Sequence, residues 1–206
     1  MTKKEQINIS LTEFINYVNK SGLPKLTVIK QAKIRREEEY EVPTDYWKAF
    51  RSKLVKLMKE NSSLEPLYDI LESIAVEKQH NYQRAIDGFI SYFKKKKYTW
   101  VKPPRGNWKV KNLEILIQPE IGFQYKGVTY FVKLFLSAND ILDKRHASLI
   151  LKMMDISLRD KISSDDRLAV LDVNRGKLFD IMPDSPDLEA LLISESTSLI
   201  DLWERI

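Results

Sequence analysis

The chain has 206 residues, 43% of them hydrophobic, a formal net charge of +5 and no cysteine. That apolar fraction supplies a core and excludes global disorder, and the missing thiols exclude disulfides and thiolate zinc or iron–sulfur sites. The start MTKKEQINIS lacks the apolar centre of a signal peptide and no apolar run approaches membrane-spanning length, so the expectation is a soluble, cytoplasmic protein with no membrane partner.

In chain order, Ser10-Leu11-Thr12-Glu13 has the form of a capping box, and Phe14, Ile15 and Val18 continue an apolar helical stripe that Gly22 and Pro24 stop. A second helix is expected from about Pro24 to Arg36, then a polar break at EEEYEVP. Thr44 is positioned to cap a third helix carrying Trp47, Phe50, Leu54, Leu57 and Met58 on one face. Its other positions hold Lys48, Arg51, Lys53, Lys56 and Lys59, a solvated face or one that touches phosphates. The stretch NSSLEP divides an N-terminal helical region, residues 1–66, from a domain spanning 67–206. Leu67 to Lys95 reads as helix, in one or two pieces. Past the turn at Pro103-Pro104-Arg105-Gly106 the period changes to two, predicting strands at Trp108–Val110, Leu113–Ile117, Ile121–Tyr125 and Val128–Leu136. His146–Leu158 returns to helix. Leu168–Val173 and Lys177–Ile181 are strands joined by Asn174-Arg175-Gly176, and a short helix closes the chain near Leu188–Leu192. This order predicts an α/β (α+β) fold, a mixed β-sheet flanked by helices.

Only Lys126-Gly127 separates the strands ending at Tyr125 and beginning at Val128. A two-residue hairpin makes opposed positions sum to 253, so Phe123 faces Tyr130 and Glu120 faces Lys133. Alternation puts Phe131, Lys133 and Phe135 on one face. A carboxylate and an ammonium are thus expected together on a rigid hairpin, unless a bulge near Pro119 shifts Glu120 by one position.

Pro119-Glu120 at the start of one strand and Lys133 on its partner resemble the motif of the PD-(D/E)XK nuclease superfamily, the restriction-endonuclease-like fold. That core runs helix, three strands, helix, strand, the order of elements from about Val76 to Val173. The motif's second acid, two residues before the lysine, is replaced here by Phe131. The resemblance implies Glu120 and Lys133 as catalytic residues, Glu120 as a Mg²⁺ ligand and phosphodiester hydrolysis as the reaction. Mg²⁺ usually takes one or two carboxylates with water, and lowers the pKa of an attacking water. With Phe131 offering no oxygen, a second carboxylate would have to migrate from Glu77, Glu114, Asp140 or Asp143. The alternative is a Glu120–Lys133 ion pair on a scaffold that no longer cuts, with no cofactor.

The segment from Lys94 to Lys111, KKKKYTWVKPPRGNWKVK, carries Lys94, Lys95, Lys96, Lys97, Lys102, Arg105, Lys109 and Lys111 and no acid. It accounts for the basic balance, while the tail from Asp180 onward is acidic. Tyr98, Trp100 and Trp108 interleave with the charges. Counterion release and base stacking make this combination a candidate nucleic-acid-binding segment, DNA or RNA. The competing reading is that the tryptophans anchor it to the core and the lysines only solvate it. His80 and His146 lack companions at metal-ligand spacing and read as helix-surface or capping residues, although His80 shares a helix face with Glu77. Asp172, within AVLDV, sits in or at the end of a strand. No nucleophile elbow, Walker loop or dinucleotide-binding glycine pattern is present. Two functions remain open: a nucleic-acid-associated protein with an altered nuclease core, or a non-catalytic module that binds a protein partner.

Overall fold

The computed structural model describes residues 5–37, 45–137, 140–181 and 187–206. The break EEEYEVP and the Thr44 cap fall almost entirely outside them. The chain begins with strand β1 (Ile7–Ser10), followed by helices α1 (Leu11–Val18), α2 (Leu23–Glu37) and α3 (Lys48–Lys59). A 3-10 turn at Glu65–Asp69 leads into the single-turn helix α4 (Ile70–Ser73) and then α5 (Val76–Phe93). Strands β2 (Thr99–Trp100), β3 (Gly106–Val110), β4 (Leu113–Ile117), β5 (Ile121–Tyr125) and β6 (Val128–Phe135) follow. Helix α6 (Lys144–Leu158), strands β7 (Arg167–Asp172) and β8 (Lys177–Phe179), and helix α7 (Asp187–Arg205) complete it. The fold is α+β, and no helix among the described residues is long and apolar enough to cross a membrane.

The strands form two sheets. Five make a mixed sheet in the order β2-β5-β6-β7-β8, in which only β6 and β7 run parallel, joined by α6 as the crossover. Three make a smaller sheet, β1-β4-β3. Strand β1 was not expected. Its Ile7 and Ile9 are buried while Asn8 is exposed, the alternation of a half-buried strand, and it pairs parallel with β4, more than a hundred residues away.

Two apolar cores sit on opposite faces of the five-stranded sheet. Phe50, Leu54 and Met58 of α3 and Ile86, Phe89 and Phe93 of α5 pack with Ile121, Phe123, Val132 and Leu134 on one face. On the other, α6 lies between the two sheets. Its Leu151, Met153, Met154 and Leu158 join Phe131, Phe135 and Val170 with Ile115 and Trp108 of the small sheet. Being enclosed this way, α6 is apolar over more of its circumference than a surface helix. Two glycines set close approaches. A Cβ on Gly106 would lie 2.2 Å from the Ser157 carbonyl oxygen, and one on Gly88 2.0 Å from that of Val173. A side chain at either position would push β3 off α6, or α5 off the turn after β7.

The N-terminal residues are woven into this body. α1 contributes Leu11, Phe14 and Ile15 to the core around α6. The Arg36 side chain donates to the Asn8 carbonyl at 2.7 Å, covering part of the free edge of β1. The final helix is much longer than Leu188–Leu192. Leu192, Ser196, Leu199, Ile200 and Trp203 are buried at helical spacing through the polar run Ser194–Ser198, and packing outweighs its weak intrinsic propensity.

Candidate nucleic-acid interface and the Glu120–Lys133 pair

The hairpin has the two-residue register. Tyr125 pairs with Val128, Phe123 with Tyr130 and Ile121 with Val132. Lys126 and Gly127 both take positive φ, 51° and 82°, as a type I′ turn requires. The Glu120 N–H donates to the carbonyl of Val132, the register partner of Ile121, at 3.1 Å, so residues 120 and 121 oppose one residue and the regular alternation ends in a bulge-like step at the start of β5. The Glu120 carboxylate accepts from the Lys133 ammonium through Oε1 and from the Leu134 N–H, at 2.8 Å, through Oε2. It thereby supplies an acceptor to a strand N–H that β5 no longer reaches.

Lys133 is 5% exposed, in the middle of a central strand. A buried charge of this kind persists only when it is paired and hydrogen-bonded. Phe131 is equally buried, and its cross-strand partner is Gly122. A Cβ on Gly122 would meet the Phe131 ring at 3.0 Å and the Val101 carbonyl oxygen at 2.4 Å. The aromatic ring thus lies across the space a side chain at 122 would need, and it belongs to the core around α6.

The other acids go elsewhere. Glu114 projects from the small sheet and pairs with Lys109 at 3.3 Å. Glu77 is exposed in the first turn of α5, the helix packed on the sheet face opposite Lys133. Asp140 pairs with Lys20 at 2.8 Å and accepts from Ser137. Those hydrogen bonds, Lys20's foremost, hold its carboxyl below the ordinary value despite some burial. Asp143 caps α6 through the His146 N–H; burial pushes its carboxyl up, but that hydrogen bond and the charge of His146 bring it below the ordinary value. Asp172 is buried against Arg175 at 3.1 Å, and His80 is exposed. Among the described residues no group of three or more His, Asp or Glu is arranged to hold a metal ion. One carboxylate with both oxygens already accepting hydrogen bonds does not fit a Mg²⁺ site.

The basic segment crosses from one sheet to the other. Lys94 caps the C-terminus of α5, where cations complement the helix dipole, and Lys95 and Lys97 are exposed beside it. Lys96 lies over the Tyr92 ring, 3.6 Å from its centroid, and burial lowers its pKa. Lys102 and Arg105 are exposed on the connector, and Lys111 is exposed in the β3–β4 turn. The two tryptophans separate in role. Trp108 is a core residue whose indole N–H donates to the Ser196 hydroxyl at 3.3 Å. Trp100 stays half-buried on β2, with the Lys59 ammonium 5.8 Å above its ring. That contact brings Lys59, the last residue of α3, against the segment, a juxtaposition between residues too far apart in sequence for periodicity to reveal.

A polar cleft of about 380 Å³ opens at the start of α6, lined in part by Lys20, Lys25, Arg145, His146 and Glu195. Its lysines are neutralised by Asp140 and Glu195. No protein-family model matches the chain, and no curated protein or solved structure matches it.

Proposed function

We propose that the chain is a nucleic-acid-binding protein built on a PD-(D/E)XK-like core in which the Glu120–Lys133 pair holds the sheet together instead of a metal ion. The observation that carries the binding function is the run of exposed cations Lys94, Lys95, Lys97, Lys102, Arg105 and Lys111, none of which has a carboxylate partner among the described residues. Unpaired cations on one continuous segment are free to replace phosphate counterions. The resemblance to the nuclease core is supported by the five-stranded sheet and its helices, which follow the order α5, β2, β5, β6, α6, β7 once β3 and β4, which lie in the small sheet, are set aside. That order comprises a helix, three antiparallel strands, a crossover helix and a parallel strand, with the two helices on opposite faces. The occupied carboxylate of Glu120 and the Phe131 ring in the core favour a scaffold role over hydrolysis.

The test pairs binding with cleavage. Labelled single- and double-stranded DNA and RNA are titrated over a salt series, then incubated with Mg²⁺ or Mn²⁺. Binding should weaken steeply with salt, by about 0.7–0.9 in log–log slope for each phosphate engaged, and no metal-dependent product should form. Cutting that is abolished by Glu120→Ala would overturn the scaffold assignment. Absence of binding to every strand would overturn the nucleic-acid reading in favour of a protein-binding module.

A further inference from the structure

The strand registers align a row of rings that is invisible in the linear sequence. Trp100 of β2 pairs with Phe123 of β5, which pairs with Tyr130 of β6, so the three side chains stand on one face of the sheet. Tyr130 and Phe123 stack, with centroids 5.3 Å apart and planes at 15°. Tyr125, two residues from Phe123, lies on the same face at the hairpin turn. Tyr98 leads into β2 and meets Phe93 and Phe123 edge-on at 5.4 and 6.2 Å.

Helix α5 covers this face only as far as Phe93 and then stops. Tyr92 in its last turn, and Tyr98, Tyr125 and Tyr130 beyond its end, are all half-buried and packed against the core. Burial, with Tyr130, Asp180 and Tyr125 nearby, pushes the Tyr92 phenol up to about 12, so it remains a neutral ring at any working pH. The Lys94–Lys97 run continues directly from α5 at this rim. Lys126 adds a further exposed cation, 5.5 Å from the Tyr125 centroid.

We infer that this rim, four tyrosines and Trp100 beside the lysines that end α5, is a stacking platform that binds single-stranded nucleic acid. The inference rests on the nucleic-acid reading above and specifies its ligand. Rings fixed by core packing lose little entropy when a base stacks on them, and every base has a flat face to offer. A duplex keeps its bases stacked on each other and can use only the lysines. A cation such as Lys126 can leave the Tyr125 ring for a phosphate when a base takes its place. The platform lies at the turn end of the hairpin. Glu120 and Lys133 lie at the other end, with Lys133 on the opposite face, so strand binding here does not require that pair.

The experiment uses the full chain and a mixed-sequence oligonucleotide, alone and annealed to its complement, as DNA and as RNA. The single strand should bind more tightly than the duplex. Tyr125→Leu, which keeps apolar bulk but removes the ring, should weaken single-strand binding on the order of 5- to 100-fold and leave duplex binding and the salt slope unchanged. Tryptophan fluorescence gives a second readout that needs no variant. Trp47, Trp108 and Trp203 are buried, so quenching on binding reports Trp100. Equal binding of single strand and duplex, with a silent Tyr125→Leu and no quenching, would overturn the platform while the lysine-based reading stands. No binding of either form would overturn both.

Discussion

At the scale of single residues, Glu120 and Lys133 illustrate how an ion pair in a sheet interior is held. The ammonium is nearly dry, and the carboxylate also satisfies the Leu134 N–H. Removing one partner leaves the other charge buried and unpaired, which costs more than the pair contributes. Glu120→Ala should therefore destabilise the protein by about 3–5 kcal/mol in denaturant unfolding. The double change Glu120→Leu with Lys133→Met removes both charges and should recover most of that loss. A single variant that unfolds within about 0.5 kcal/mol of the parent, the range of ordinary surface substitutions, would refute the structural role of the pair. The same loss of stability matters for any cleavage comparison: a Glu120→Ala protein has to be shown folded before its activity is interpreted.

At the scale of elements, the capping box shows how one carboxylate joins three of them. The Ser10 N–H donates to Glu13 Oε2 at 2.8 Å and the Glu13 N–H donates to the Ser10 hydroxyl at 3.2 Å, so the end of β1 and the start of α1 satisfy each other. Arg35 and Arg36 of α2 dock on the same carboxylate at 3.1 and 3.2 Å. Burial pushes the Glu13 carboxyl up, but the Ser10 hydrogen bonds and the Arg36 charge outweigh it and hold the group below its ordinary value. A depressed folded pKa contributes stability that is present above the ordinary carboxyl value of 4.5 and is lost as pH falls through the folded value. Glu13→Gln keeps the box but drops the charge. It should lower stability by about 1 kcal/mol at neutral pH, and the two proteins should converge at low pH. Parallel stability curves from pH 7 downward would contradict this. The box was legible from Ser10-Leu11-Thr12-Glu13 because it is a local motif. The arginines that complete it were not, because nothing local ties residues 35 and 36 to residue 13.

At the scale of the whole molecule, the N-terminal third is part of the body and not an appendage. β1 hydrogen-bonds along β4, and Ile7, Ile9, Leu11, Phe14, Ile15 and Tyr17 are buried in the core that surrounds α6. α3 covers the opposite face of the five-stranded sheet. A fragment spanning 67–206 would expose both surfaces and leave β4 with an unpaired edge. It should fail to show a cooperative thermal transition by circular dichroism, whereas the full chain should unfold in one. A fragment that melts cooperatively near the full chain's midpoint would mean that the first 66 residues are a separable unit.

By itself the sequence determined what depends on near neighbours. Alternation located β4, β5 and β6, the two-residue Lys126-Gly127 turn fixed the hairpin register as far as Ile121–Val132, and just past it the Glu120 side chain reaches Lys133. Tertiary structure alone decided what depends on distant partners. β1 is four residues long and becomes a strand only because β4 is there to pair with it. α7 runs through Ser194–Ser198 because Ser196 and Ser198 find partners in Trp108 and Tyr17. Phe131 reads locally as a substituted motif acid, yet its ring packs over Gly122 in the core. The aromatic row from Trp100 to Tyr130 exists only once β2, β5 and β6 lie side by side. Periodicity tells which residues share a face of one element; which element meets that face is settled by the burial of apolar surface across the whole chain.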